Sequence, residues 1–365
     1  MMSKICLNMI VKNEAHVIAR CLDSVRPFID SWVIVDTGST DGTQDLIRAL
    51  LADIPGELHE RPWKDFGHNR SEALQLAKAH GDYLFVIDAD EVLVLPDNYT
   101  RPLLDGDAYA LQVNYGELSY ARVCAIASKL PWRWVGVLHE YLDCGHAVNS
   151  PVIEGPSVHV HSDGARSQQD FTIKYASDAK VLETALRDEP GNARYRFYLA
   201  QSYRDSAQPE LALRSYEQRA AMGGWIEEVW YSLYSAALLS EQLQRPTSEV
   251  IERYLLAYEA RPQRAGETLG QLARYCRELN RYPSALMFAA RALTCPTPDD
   301  RLFVDLSWYR WRTRDEYAIA SYWTGDYETC RRECLTLLDS ADLPKEQASR
   351  VQANLEFAER KIASR

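Results

Sequence analysis

From Ile5 to Glu91 the chain alternates short apolar runs with helical patterns, and most of the runs end on polar or acidic residues. Ile5-Cys6-Leu7-Asn8-Met9-Ile10-Val11 reads as a buried strand and Glu14 to Val25 as an amphipathic helix. Trp32-Val33-Ile34-Val35-Asp36 is a second strand, followed by a turn and a helix at Thr43 to Leu51. Gly56 to Glu60 fits a third strand, Asn69 to His80 a third helix, and Asp82 to Asp88 a fourth strand. Strands separated by helices must pair in parallel through right-handed crossovers, and ligands of such open sheets bind beyond the carboxyl ends of the strands. The residues at those ends therefore bear most on function.

Beyond about Asp163 the pattern changes to helix pairs. Arg194 to Arg204 with Glu210 to Ala221 forms one, and Ala265 to Leu279 with Tyr282 to Leu293 another. Leu199-Ala200-Gln201-Ser202-Tyr203 and Ala273-Arg274-Tyr275-Cys276 are similar, at about twice the 34-residue period of tetratricopeptide repeats. A weaker copy runs from Ala320-Ser321-Tyr322-Trp323 to Leu337, and Lys345 to Ile362 reads as a capping helix. The expected organisation is an α/β domain over residues 1–165 and an all-α tetratricopeptide-like domain over residues 166–365.

Composition narrows the partners. A net charge of −11 gives no general attraction to nucleic acid phosphates or anionic lipid, so no nucleic acid partner is expected. No apolar run approaches the roughly 18 residues of a membrane span, and the N-terminal stretch is too short for a signal peptide, which together point to the cytoplasm. Eight cysteines include no Cys-x-x-Cys pair, which removes zinc-ribbon and thioredoxin-like chemistry.

Two acidic sites close predicted strands. Asp36 opens Asp36-Thr37-Gly38-Ser39-Thr40-Asp41-Gly42-Thr43, a tight turn with several helix-capping side chains. Asp88-Ala89-Asp90-Glu91 places three carboxylates in four residues, which repel one another unless something positive sits among them. Alternation along an extended segment points Asp88 and Asp90 to one side, an arrangement suited to a hard divalent cation with positions left for phosphate oxygens.

Val11-Lys12-Asn13-Glu14, the stretch from Val33 to Thr43, Arg70 to Ala77, and Phe85 to Glu91 resemble, in order and spacing, the family 2 glycosyltransferases of GT-A fold. The resemblance is close over about the first 95 residues and weaker to about His161. A GT-A domain ahead of helical repeats is similar to bacterial glycosyltransferases with tetratricopeptide tails, peptide S-glycosyltransferases among them. It implies that Glu14 and Asp36 face base and ribose, and that Arg70 approaches the diphosphate. It also implies that Asp88-Ala89-Asp90 is the Asp-x-Asp motif, with Asp90 on the metal and Asp88 on ribose or metal. Thr37 stands where many members carry a second acid, and Ser71 where an Asn is usual.

Further along, Trp132 to Glu140 resembles the stretch that closes the acceptor side in repeat-tailed relatives. Inverting transfer needs a base for the acceptor proton, and Glu140 is the expected base, with neighbouring His139 the second candidate. His159-Val160-His161 presents two imidazoles on one side, and His161 resembles the late metal-binding His of many GT-A enzymes, compatible with manganese or magnesium. Trp132 and Trp134 are candidates for stacking on a sugar. The implied activity is inverting transfer from a nucleotide-diphosphate sugar, UDP-linked, to a peptide, protein or glycan. The competing reading is an inactive GT-A domain on a repeat scaffold that binds a protein partner; in either case the repeats leave a homodimer open.

Overall fold

In the computed structural model, residues 3–115, 118–300 and 302–364 are described. The chain divides into two compact units, Met1–Asp188 and Glu189–Arg365.

The first unit begins with β1 (Ile5–Val11), buried along its length on both faces, as a central parallel strand must be. Helix α1 (Ile18–Val25) follows; it buries Ile18, Cys21, Leu22 and Val25, the spacing of one helical face. Next come β2 (Ser31–Asp36), α2 (Thr43–Leu50), β3 (Gly56–Glu60), α3 (Phe66–Ala77) and β4 (Tyr83–Val86). Helix α1 starts later than Glu14 because Asn13 takes a left-handed turn at φ 58°. Helix α3 starts earlier than Asn69 because the Asp65 carboxylate caps it, accepting from the His68 N–H at 2.7 Å.

The later strands are β5 (Glu91–Val94), β6 (Ala108–Tyr115), β7 (Leu118–Ala127), β8 (Arg133–Val135), β9 (Tyr141–Asp143) and β10 (Val152–Val160). The main sheet has the order β3-β2-β1-β4-β7-β6-β10-β5. Its first four strands are parallel, β7 runs antiparallel to both neighbours, β10 is parallel to β6, and β5 is antiparallel to β10. The β8–β9 hairpin stands apart from this sheet. Ile5, Leu7 and Met9 face a core shared with α1, while Cys6, Leu84 and Val86 face a second core with Leu74, Ala77 and Trp132. Helix α4 (Phe171–Asp188) closes the unit and buries Asp178, Ala179, Leu182 and Leu186.

The second unit is all helix. Its helices α5 (Ala193–Asp205), α6 (Pro209–Ala221), α7 (Ile226–Gln242), α8 (Thr247–Ala260), α9 (Ala265–Glu278), α10 (Tyr282–Leu293), α11 (Thr313–Trp323), α12 (Tyr327–Asp339) and α13 (Lys345–Ala363) each pack on the next. The first helices of successive pairs start at Ala193, Ile226 and Ala265, near the tetratricopeptide period, and the fourth is delayed to Thr313 by the loop after α10. That loop is pinned by a fully buried arginine. Arg264 pairs with Glu267 and Asp300, donates to the Leu302 and Phe303 carbonyls, and lies 3.7 Å over the Trp230 ring. No helix among the described residues is long and apolar enough to cross a membrane.

Candidate functional site

The carboxyl ends of β1, β2 and β4 meet at a cavity of about 470 Å³ in the first unit. The loop after β1 is laced to the loop after β2. The Asn13 N–H donates to Ser39 Oγ and the Thr40 N–H to Asn13 Oδ1, both at 2.8 Å, and the Glu14 N–H reaches Thr43 Oγ1 at 2.9 Å. These bonds present Lys12, Asn13 and Glu14 to the cavity.

Asp36 is 1% exposed. Its Oδ1 accepts from the Gly38 and Ser39 N–H groups, both at 2.9 Å, and from Gln44 Nε2 at 3.2 Å. Its Oδ2 is buried with no hydrogen-bond partner among the described residues. A buried acceptor left so is costly unless a ligand donor completes it. Thr37, standing in the place of a second acid, turns back on its own fold: its N–H and hydroxyl both donate to the Val11 carbonyl.

The three clustered carboxylates receive two arginines. Glu91 is clasped by both Arg122 nitrogens at 2.7 and 2.6 Å, and its Oε2 accepts the Asp88 N–H at 3.0 Å, which fixes the acidic loop. Asp88 is held by Arg70 Nη2 at 2.7 Å; that guanidinium keeps its carboxyl below the usual range against the opposing effect of burial. Asp90 has no ion pair among the described residues. Burial first, then the Asp88 charge, push its carboxyl up, and burial does the same to Glu14. Two carboxylates facing a cavity, each biased toward taking a proton, form an electrostatic place for a cation.

Arg70 serves two masters. Its Nε stands 2.8 Å from Glu140 Oε1, but off the N–H axis, so the contact is charge to charge. Both side chains are only 12% exposed, and the guanidinium lies 5.2 Å over the Trp134 ring. Ser71 explains this closeness: its Oγ accepts the Trp134 N–H at 2.9 Å and donates to the Trp134 carbonyl at 3.2 Å, tying α3 to β8. The β8–β9 turn also brings Val137 and Leu138 to the cavity, which Arg70 lines and its partner Glu140 does not.

Arg70, Asp88 and Glu140 are thus one linked group, and Glu14 and Asp90 line the same cavity as Arg70 and Asp88. The remaining expected residues lie further out. His139 is exposed at φ 51°, and the His159 ring meets Asn114 at 3.2 Å. His161 is exposed, and its backbone N–H donates to the Asp90 carbonyl at 3.2 Å. Trp132 is buried in the second core and does not line the cavity. Among the described residues no three His, Cys, Asp or Glu side chains are grouped to hold a metal ion. A cation here would rest on carboxylates and draw the rest of its shell from substrate oxygens, water or a side chain that turns in, as magnesium-type sites do.

One wall was not anticipated. Gly164, Ala165, Arg166, Ser167, Gln169, Lys174, Ser177, Asp178 and Val181 all line the cavity, from the end of β10 through α4. Arg166 is paired with Asp178 at 2.6 Å and lies 4.6 Å over the Phe66 ring. No local motif marks this segment, because it reaches the site only through tertiary folding.

Residues 6–104 match the glycosyl transferase family 2 model. The N-terminal region is a family 2 glycosyltransferase domain. The chain is 29% identical over 277 residues to a TPR repeat-containing protein of Synechococcus elongatus, covering 71% of this chain and 66% of that protein. It is 33% identical over 89 residues to the SPbeta prophage-derived glycosyltransferase SunS of Bacillus subtilis, 24% of this chain and 20% of SunS. It is 36% identical over 101 residues to the lipopolysaccharide core biosynthesis glycosyltransferase LpsC of Rhizobium meliloti, 27% of this chain and 33% of LpsC. In each case the match spans less than two thirds of the relative's own length. The glycosyltransferase domain accounts for the parallel strands and their terminal acids, and the match to the Synechococcus protein continues into the helical repeats.

Proposed function

We propose that the protein is an inverting glycosyltransferase that moves a sugar from a nucleotide-diphosphate sugar, UDP-linked, to a peptide, protein or glycan acceptor with a divalent cation, Mn²⁺ or Mg²⁺. The observation that carries the reading is how charge is divided in the cavity. Arg70 is committed to Asp88, and Arg166 to Asp178. That leaves two acids, Glu14 and Asp90, and two bases, Lys12 and Lys174, all four lining the cavity and none in an ion pair among the described residues. Of the two uncompensated carboxylates, Asp90 suits a divalent cation beside Asp88, and the two uncompensated ammonium groups suit phosphate oxygens. The unsatisfied Asp36 Oδ2 supplies an acceptor for a ribose hydroxyl or a base N–H at the β2 end.

Asp90 and Asp88 would hold the cation, and we assign His161, whose backbone is bonded to Asp90, to the same shell. When bound, the cation neutralises charge on the departing diphosphate. The protein's own part is to place the anomeric carbon and the acceptor in line and to receive a proton. As the acceptor oxygen bonds to that carbon, the bond to the diphosphate breaks, its electron pair leaves with the nucleotide, and the acceptor proton goes to a base. Glu140 is our choice: Arg70 orients one carboxylate oxygen, and the other takes the proton. His139 is the alternative on the same turn. The repeats, with the extended surfaces that stacked helix pairs provide, hold the acceptor. A panel of nucleotide sugars screened by thermal shift with manganese tests the reading. A true donor raises the melting temperature in a concentration-dependent way, and a panel with no shift at millimolar ligand contradicts it.

A further inference from the structure

Between β10 and α4 the chain crosses the two carboxylates that no arginine holds. Ser162 starts the crossing with a left-handed turn, φ 54°. Asp163 is then fixed from the α1 side. Arg20 clasps its carboxylate with Nη2 at 2.7 Å and Nη1 at 2.9 Å. The Asp163 carbonyl lies 2.7 Å from His16 Nε2 and accepts from Gln168 Nε2 at 3.1 Å. The next two residues turn backbone toward the acids. The Ala165 N–H donates to Glu14 Oε2 at 3.2 Å. Gly164 passes so near Asp90 that a Cβ on it would stand 3.1 Å from Oδ2 and 3.2 Å from Cγ. Arg166 finishes the crossing, paired with Asp178 of α4.

We propose that Asp163-Gly164-Ala165 is a positioning strap, anchored by Arg20, that sets where the Glu14 and Asp90 carboxylates stand for the cation and the nucleotide diphosphate. The inference rests on the glycosyltransferase reading and adds to it two positioning residues, Arg20 and Gly164. Like charges facing one cavity spread apart unless something fixes them, and the strap's backbone is what touches both. The Arg20–Asp163 pair is itself 37% and 42% exposed, so it adds little to stability, and its two-pronged geometry serves placement instead. Gly164 has a backbone conformation open to alanine, so an added methyl presses on the Asp90 carboxyl and on little else.

The test is calorimetric titration of the full chain with UDP, with and without manganese chloride, for the wild type and for Gly164→Ala, Arg20→Ala and Arg20→Lys. Gly164→Ala and Arg20→Ala should weaken manganese-dependent UDP binding by about 10–100-fold, the usual cost of disturbing groups that orient metal ligands. Arg20→Lys should restore part of it, ligand-free melting temperatures should stay near the wild type, and the manganese-free affinity should not change. Wild-type binding matched within about twofold by both alanine variants overturns the strap. So does equal loss of manganese-free binding, which marks a merely structural role. A wild type that binds no UDP with manganese overturns the functional reading instead.

Discussion

Arg70 is the residue on which the site turns, because one guanidinium faces both Asp88 of the acidic loop and Glu140 of the β8–β9 hairpin. Glu140→Gln keeps the shape and one acceptor oxygen but cannot take a proton. Turnover should fall by on the order of 10²–10⁴ while donor affinity stays near normal. Steady-state rates beside a donor titration check this; loss of donor binding would place Glu140 in the donor site and move the base to His139. At this scale the sequence was most readable where residues are neighbours in the chain. Asp36 ends β2 as its local pattern requires, whereas Asp88 and Asp90 lie beyond β4 in a turn closed by the Glu91 N–H on the Asp88 carbonyl rather than on an extended segment. Arg122, Arg166, Lys174 and Asp178 were not legible, because each reaches the cavity or its acidic loop from a distant element. The repulsion among Asp88, Asp90 and Glu91 did announce that cations must arrive; it could not say from where.

Among the elements, α3 and the β8–β9 hairpin form the joint that couples donor side to acceptor side. A Cβ at Gly67, in the first turn of α3, would come 2.2 Å from the Gly136 carbonyl oxygen. Both partners there are backbone, so nothing small can yield. Gly67→Ala should therefore destabilise the protein by about 1–3 kcal/mol, the usual cost of overpacking, and should also disturb the Arg70–Glu140 contact. Chemical denaturation gives the first effect and turnover at saturating donor the second. A variant as stable and as active as the wild type would show that the hairpin adapts freely. Most of the early strands and the repeat helices α5, α6, α9 and α10 followed from the sequence pattern; α7 and α8 were not picked out, and β3 carries no fully buried residue. The other half of the sheet, β5, β6, β7 and β10, did not follow from the pattern: its strands interrupt no helical pattern, and only the ends of β5 and β10 carry residues of a motif. Helix α4 shows the same limit. Its sequence reads like a repeat helix, yet it belongs to the compact unit of the glycosyltransferase domain and lines the cavity.

For the whole molecule, two compact units divide the proposed work, donor chemistry in Met1–Asp188 and acceptor capture in Glu189–Arg365. A fragment ending at Asp188 keeps every cavity-lining residue. It should bind donor with near wild-type affinity and fail to glycosylate the natural acceptor. Full transfer by that fragment would assign the repeats another task, such as homodimer formation. The net charge of −11 belongs to this scale too, since it sets a background against which a nucleotide sugar binds only where local cations are arranged for it. The most direct measurement is release of UDP from UDP-sugars by the full chain without acceptor, with and without manganese, beside Asp90→Asn. Water then stands in for the acceptor, so the result does not depend on knowing what that acceptor is. Slow release that requires manganese and is lost by on the order of 100-fold or more in Asp90→Asn is the expected result. No release from any UDP-sugar, or release indifferent to both manganese and Asp90, would contradict a cation-assisted glycosyltransferase.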